Sequence, residues 1–178
     1  MKAIRISFTS VLAVAALAVL STHIAPIRAH ADAAPKADQA AAAKKLTGKV
    51  IGTPGSYGGG GNDISKAFDG DITTFVDAAD ATNGNGTWVG LDLGTAKAIT
   101  KIRFVPRSEF PGRMVGGKFQ GSATADFAKP VDLFVIKDEP AVGKFTDLTT
   151  LLSKASFQYV RYLSPDDGWN NVSEIEFY

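Results

Sequence analysis

The chain has 178 residues, a formal net charge of +1, no cysteine and two histidines, His23 and His30. The lack of cysteine excludes disulfides and thiol chemistry. Both histidines fall in the first 30 residues, so nothing after them can run a Ser-His-Asp triad or a His-ligated zinc site.

The N-terminus reads as an address. Lys2 and Arg5 precede an apolar run over residues 11–20, and Ala29-His30-Ala31 offers an A-x-A cleavage site. Residues 1–31 are therefore expected to be a secretory signal peptide, and the protein to be secreted or periplasmic. The apolar run is short for a membrane span, and no later segment is long enough to be one. Three of the 19 basic residues and none of the 18 acidic ones lie in this segment, which leaves 16 basic against 18 acidic, a net charge of −2. That balance argues against a nucleic-acid partner, which requires a basic surface. Residues 32–45, mostly alanine with a few lysines and aspartates, read as a linker with no folded role.

Residues 46–178 are sized for one domain with one core. Glycine, asparagine and proline punctuate them at short intervals, and between these lie short runs of β-branched and aromatic residues. Residues 63–68 suit a single helical turn. Residues 88–93 alternate, with Val89, Leu91 and Leu93 on one face, and residues 99–105 put Ile102 and Phe104 on one face. Further strands are expected at 118–121, 132–136 and 157–163. A last one at 173–178 should turn Ile175 and Phe177 inward and Glu174 and Glu176 outward. The expected fold is all-β, a sandwich or jelly roll.

Two segments carry chemistry. Residues 67–74, AFDGDITT, pack carboxylate, hydroxyl and backbone oxygens into a glycine turn, and residues 172–178, VSEIEFY, bring a carboxylate at the start of the last strand. Together they would form an oxygen-only cage suited to a hard cation such as calcium. The alternative is a turn in which Asp69 caps its own backbone and Gly70 supplies a positive φ.

The order AFDGDITT, WVGLDLG, KIRFVPR, FQYVRY, NVSEIEFY resembles the discoidin family, the coagulation-factor C-type domains and the related bacterial carbohydrate-binding modules of family 32. The resemblance runs from about Thr47 to Tyr178. It implies a galactose-binding-domain-like jelly-roll β-sandwich, a structural calcium and ligand-binding loops at one end. By that resemblance the cation would be held by the Asp69 carboxylate, the backbone oxygens of Ala67 and Asp71, Thr74 through its hydroxyl or carbonyl, the Glu174 carboxylate and the Ser173 carbonyl.

The resemblance also implies that Arg107 hydrogen-bonds sugar hydroxyls. Loop position and residue type add Arg113 and Phe110 after the second strand, and Tyr57 in the glycine-rich loop 55–61. Trp169 is the candidate stacking platform in the loop 165–171, with Asn170 beside it to bind hydroxyls. Structural alternatives stand beside these. Arg107 pairs with Glu109 or Asp92, Arg113 binds carbonyls of its own loop, Trp169 covers the core edge, and Trp88 is core or half-buried. Galactose-binding members often carry a tryptophan and a histidine after the DGD segment and an asparagine before the glycine of the arginine loop. Here those places read Thr74-Phe75-Val76-Asp77 and Pro111.

The leading expectation is a secreted, non-catalytic carbohydrate- or polysaccharide-binding module. A second is adhesion at the cell envelope through the same loops to a protein or lipid partner, with Phe110 and Met114 as apolar tips. The third, a glycosidase, needs two carboxylates across a cleft. Asp166-Asp167 and Glu174/Glu176 are paired only along the chain.

Overall fold

The computed structural model describes residues 43–79 and 84–178. The expected signal peptide, and the linker up to residue 42, lie outside them. Among the described residues eight strands form two antiparallel sheets: β1 Lys49–Gly52, β2 Trp88–Ala98, β3 Ile102–Pro106, β4 Lys118–Ser122, β5 Val131–Val135, β6 Thr146–Leu148, β7 Ser156–Leu163 and β8 Val172–Phe177. The five-stranded sheet has the order β1-β2-β7-β4-β5 and the three-stranded sheet β6-β3-β8. The sandwich is the all-β architecture that the punctuated strands predict. Among the described residues no helix is long and apolar enough to cross a membrane.

Period-two alternation decides which side chains fill the space between the sheets. Val89 and Leu91 of β2, Ile102 and Phe104 of β3, Val160 and Tyr162 of β7, and Ile175 and Phe177 of β8 are all buried. Phe119 of β4 sits between the layers. Its ring centroid lies 5.3 Å from Phe104, 5.4 Å from Tyr162 and 6.3 Å from Phe177, in tilted or edge-on geometry. These contacts join both sheets through one ring.

The structure departs from the sequence expectations in several places. β1 and the three-residue β6 are too short and too mixed in character to show a period. β2 runs past Leu93 to Ala98, because Gly94 adopts a φ of +73° and an irregularity between Asp92 and Lys97 lets the strand continue out of register. Glu174 is not exposed: it is wholly buried, because the loop around Gly70 and the side chain of Lys45 cover that face of β8. Lys45, assigned by composition to the linker, belongs to the domain. Its ammonium lies 3.4 Å from Glu174 and 3.2 Å from Glu176, and the next residue, Leu46, donates its N–H to the Phe177 carbonyl at 2.7 Å.

Phe119→Ala should cost about 3–5 kcal/mol of unfolding free energy, the range for deleting a buried aromatic ring. Urea denaturation checks this, and a loss below about 1 kcal/mol would show that the ring does not tie the sheets together.

Candidate functional site

β3 and β8 are antiparallel neighbours, with Pro106 opposite Val172. The chain leaving β3 and the chain entering β8 therefore emerge at the same end of the sandwich. The Arg107 N–H donates to the Asn171 carbonyl at 3.4 Å. A third loop joins them: Tyr57 N–H donates to Asp77 O at 2.8 Å and Ala78 N–H to Trp169 O at 2.9 Å.

These three loops enclose a cleft of about 380 Å³ lined by Tyr57, Asp77, Arg107, Phe110, Arg113 and Trp169. Five of the six ligand candidates from the sequence meet here. The sixth, Asn170, does not. It is fully buried, because its backbone is left-handed at φ +55° and its N–H is anchored on the Ser164 hydroxyl at 3.1 Å, so its amide is out of reach of a solute.

Arg107 is held on all sides. One terminal nitrogen donates to Asp77 Oδ2 at 2.7 Å and Nε to Glu109 Oε2 at 3.3 Å. The guanidinium stacks on Phe75 at 3.8 Å and reaches Phe110 at 4.9 Å. The expected Glu109 pairing is thus present, and the second partner is Asp77 rather than Asp92. The Glu109 carboxyl is held below its ordinary range, first by its own backbone N–H and then by Arg107 and Ser108. Arg113 does not bind a carbonyl of its own loop: it donates to the Asn171 side chain at 2.7 Å and stacks on Phe110 at 4.0 Å. A planar guanidinium against a ring keeps free N–H groups directed outward.

Trp169 is half-buried, and its ring meets Tyr57 edge-on at 5.9 Å and 87°. Its seat depends on Gly84, where an added Cβ would lie 2.9 Å from the indole carbons. Three non-glycine residues of its loop, Asp167, Trp169 and Asn170, sit at φ +55° to +57°. For a bulky residue such as tryptophan this is an outlier, costing about 1–3 kcal/mol per residue. Hydrogen bonds hold the loop there, among them Val172 N–H to Asn170 O at 2.8 Å and Asp167 N–H to Asn85 Oδ1 at 3.0 Å. Trp88, by contrast, packs edge-on against Phe127 on the sheet, 5.4 Å away.

Sequence reasoning missed Asp77, Phe75 and Asn171 as parts of this site. The first two lie in the stretch that departs from the galactose-binding pattern, so that departure was the available signal. Met114, expected as an apolar loop tip, is fully buried in the core, whereas Phe110 is 40% exposed.

The oxygen-rich turn lies elsewhere, against β8. Thr74 Oγ1 donates within 2.8 Å of Asp69 Oδ2 and 3.0 Å of the Asp71 carbonyl. Glu174 Oε2 accepts the Gly70 N–H at 3.0 Å. The turn thus gathers Asp69, Asp71, Thr74 and Glu174, while Ala67 and Ser173 are buried beside Asp69 and Glu174 along the chain. The features of a self-capped turn are present too: Asp71 N–H donates to Asp69 Oδ1 at 3.0 Å, and Gly70 has φ +82°. The Asp71 carboxylate turns to Thr73, whose hydroxyl and N–H hold it below its usual range. Burial, with the Asp69 charge adding to it, pushes the Glu174 carboxyl up despite Gly70 and Lys45. Among the described residues no three acidic, histidine or cysteine side chains converge. The turn instead combines two carboxylates with hydroxyl and backbone oxygen.

A third feature is an apolar groove of about 640 Å³ beside β5 and β6, lined by Phe104, Phe134, Ile136, Leu148 and Leu152 among others. It contains none of the candidate residues and lacks the arginine and aromatic pairing of the loop cleft.

The F5/8 type C domain model matches residues 51–177. No curated protein matches the chain. Among solved structures, the CBM62 from Clostridium thermocellum Xyl5A is 46% identical, with a TM-score of 0.72, over 76% of this chain and 96% of that one. The CBM32 of AlyQ, solved with 4,5-unsaturated mannuronic acid, is 17% identical, with a TM-score of 0.58, over 76% of this chain and 98% of that one. CpGH89CBM32-5 from Clostridium perfringens, solved with GalNAc-β-1,3-galactose, is 18% identical, with a TM-score of 0.58, over 76% and 99%. The last two share the fold; the family model and the 46% relative go further, and this chain belongs to the F5/8 type C domain family.

Proposed function

We propose that the protein is a secreted or periplasmic, non-catalytic carbohydrate-binding module whose ligand sits in the cleft between Trp169 and the two arginines. The observation that carries this reading is the cleft itself. An indole and a phenol stand at one side and two ring-stacked guanidiniums at the other. An aromatic face takes the C–H face of a sugar, and guanidinium N–H groups donate to its hydroxyl oxygens. The 46% identity to a CBM62 supports it, as do the sugar ligands solved with more distant relatives of the same fold. A module without catalysis fits the chemistry. The cleft's carboxylate, Asp77, has both oxygens committed, one to Arg107 and one to Asn171, so it is not free to act as an acid or base.

The same reading includes a structural calcium held by the Asp69 and Glu174 carboxylates and by Thr74, with the carbonyls of Ala67, Asp71 and Ser173. Hard, mixed carboxylate and carbonyl oxygens suit this ion, and a buried carboxylate such as Glu174 calls for compensating positive charge. When bound, the ion would neutralise the two carboxylates and cross-link the turn to the last strand.

A panel of plant and bacterial polysaccharides, screened with calcium present, tests the ligand class. A coherent set of bound glycans is expected, and a blank from folded protein would overturn the reading. Trp169→Ala should weaken binding by about 1–3 kcal/mol through lost aromatic contact while leaving the melting temperature nearly unchanged. A large fall in melting temperature would instead make Trp169 a core residue. Calcium at 100-fold over its Kd should add about 2.7 kcal/mol of stability, and Asp69→Ala should remove that gain. A melting temperature equally insensitive to calcium and to a strong chelator in the wild type would overturn the metal assignment.

A further inference from the structure

The two cleft arginines lie 4.9 Å and 4.0 Å from the Phe110 ring and belong to different parts of one loop, and a single buried amide couples them. Asn171 is fully buried and touches no solvent. Its Nδ2 donates to Asp77 Oδ1 at 3.0 Å and to the carbonyls of Val76 and Trp169, each at 3.2 Å. Its Oδ1 accepts from Arg113 at 2.7 Å. Asp77 passes the connection on through Oδ2 to Arg107 at 2.7 Å. The result is one continuous chain, Arg107–Asp77–Asn171–Arg113, with the Trp169 backbone attached to its middle.

A primary amide satisfies both ends. Asp77 needs a donor and Arg113 needs an acceptor, and asparagine offers both on one short, rigid side chain. Aspartate at 171 would keep the acceptor for Arg113 but lose the donor and set two carboxylates against each other. A side chain without oxygen or nitrogen would take the acceptor from Arg113 and a donor from Asp77, while Arg107 would keep Asp77 and Glu109. Buried, fully connected polar networks fix geometry in this way, because each member is costly to leave unpaired.

We propose that Asn171 is the positioning residue of the cleft: without contacting the ligand, it fixes the two guanidiniums and the Trp169 backbone in one frame, so that a sugar offering two acceptor oxygens on one edge meets both arginines together. This rests on the cleft being the ligand site, and the experiment separates the two claims.

The first measurement needs no ligand. Side-chain ¹⁵N spectra of the arginines in the wild type should show restricted guanidinium rotation for Arg107 and Arg113. Asn171→Ala should release Arg113 and shift Arg107. Asn171→Asp, nearly isosteric, should keep Arg113 restrained and disturb Arg107, and it carries the test if the alanine variant melts below the assay temperature. Wild-type-like arginine signals in a folded variant would overturn the proposal.

The second measurement is affinity electrophoresis through galactan, polygalacturonate and chitosan: a neutral, an anionic and a cationic polysaccharide. Asn171→Ala should weaken retention by the retaining polymer about tenfold, and the loss should be markedly smaller in an Arg113→Leu background, since residues of one network are coupled. Additive losses would mean that Asn171 only supports the fold, and would overturn its positioning role. If wild-type protein is retained by none of the three, the carbohydrate reading suffers while the arginine spectra still decide the role of Asn171.

Discussion

The pairing of β3 with β8 is the constraint on which the rest of the molecule depends. It joins the middle of the domain to its last strand in antiparallel register, from Ile102 opposite Phe177 to Pro106 opposite Val172. One consequence is the core, since Phe104 and Phe177 come from these two strands and meet across Phe119. A second is the cleft, because Arg107 leaves one strand where Asn171 enters the other. A third is the oxygen-rich turn, because Glu174 two residues into β8 reaches back to Gly70. Core, cleft and turn are therefore consequences of one ladder of hydrogen bonds.

The cleft and the oxygen-rich turn use charge differently. In the cleft, cations are matched to carboxylate, amide and aromatic faces, so the arginines are held with little freedom before any ligand arrives. Preorganisation of that kind lowers the entropy lost on binding. The strain in the Trp169 loop belongs to the same design: left-handed tryptophan and asparagine are retained because Gly84, Ser164 and the Val76–Asn171 region over-determine them. At the turn the balance is reversed. Glu174 is buried with the Gly70 N–H and the Lys45 ammonium, 3.4 Å away and shared with Glu176, as its compensation, which is a thin supply of positive charge for a carboxylate inside a protein.

Much of this was legible in the sequence, for physical reasons that differ by residue. Strands with clean alternation, such as β2 and β8, announced their inward faces because burial on one side imposes period two. Loop residues Arg107, Arg113, Phe110, Tyr57 and Trp169 were legible as types able to grip a polar ligand, although only the fold brings them together. What was hidden depends on contacts far apart in sequence. Asp77 in a short unpatterned stretch acquires its role from Arg107, thirty residues on. Asn170 and Asn171 look interchangeable as letters; the left-handed turn buries the first without a role in the cleft and aims the second at Arg113 and Asp77. Glu174 was read as outward by alternation, which is correct for the sheet but blind to the turn and to Lys45 lying over it. Met114 followed a loop-tip pattern and was drawn into the core by a short turn at Pro111–Met114.

The central claim is that the three-loop cleft, rather than the larger apolar groove, receives the ligand. Backbone and indole NMR shift mapping with oligosaccharide fragments of the retaining polymer tests this most directly. The account predicts perturbations concentrated at Tyr57, Asp77, Arg107, Arg113 and Trp169, with the Trp88 indole unmoved. Perturbations centred on Phe134, Ile136 and Leu152 would contradict it.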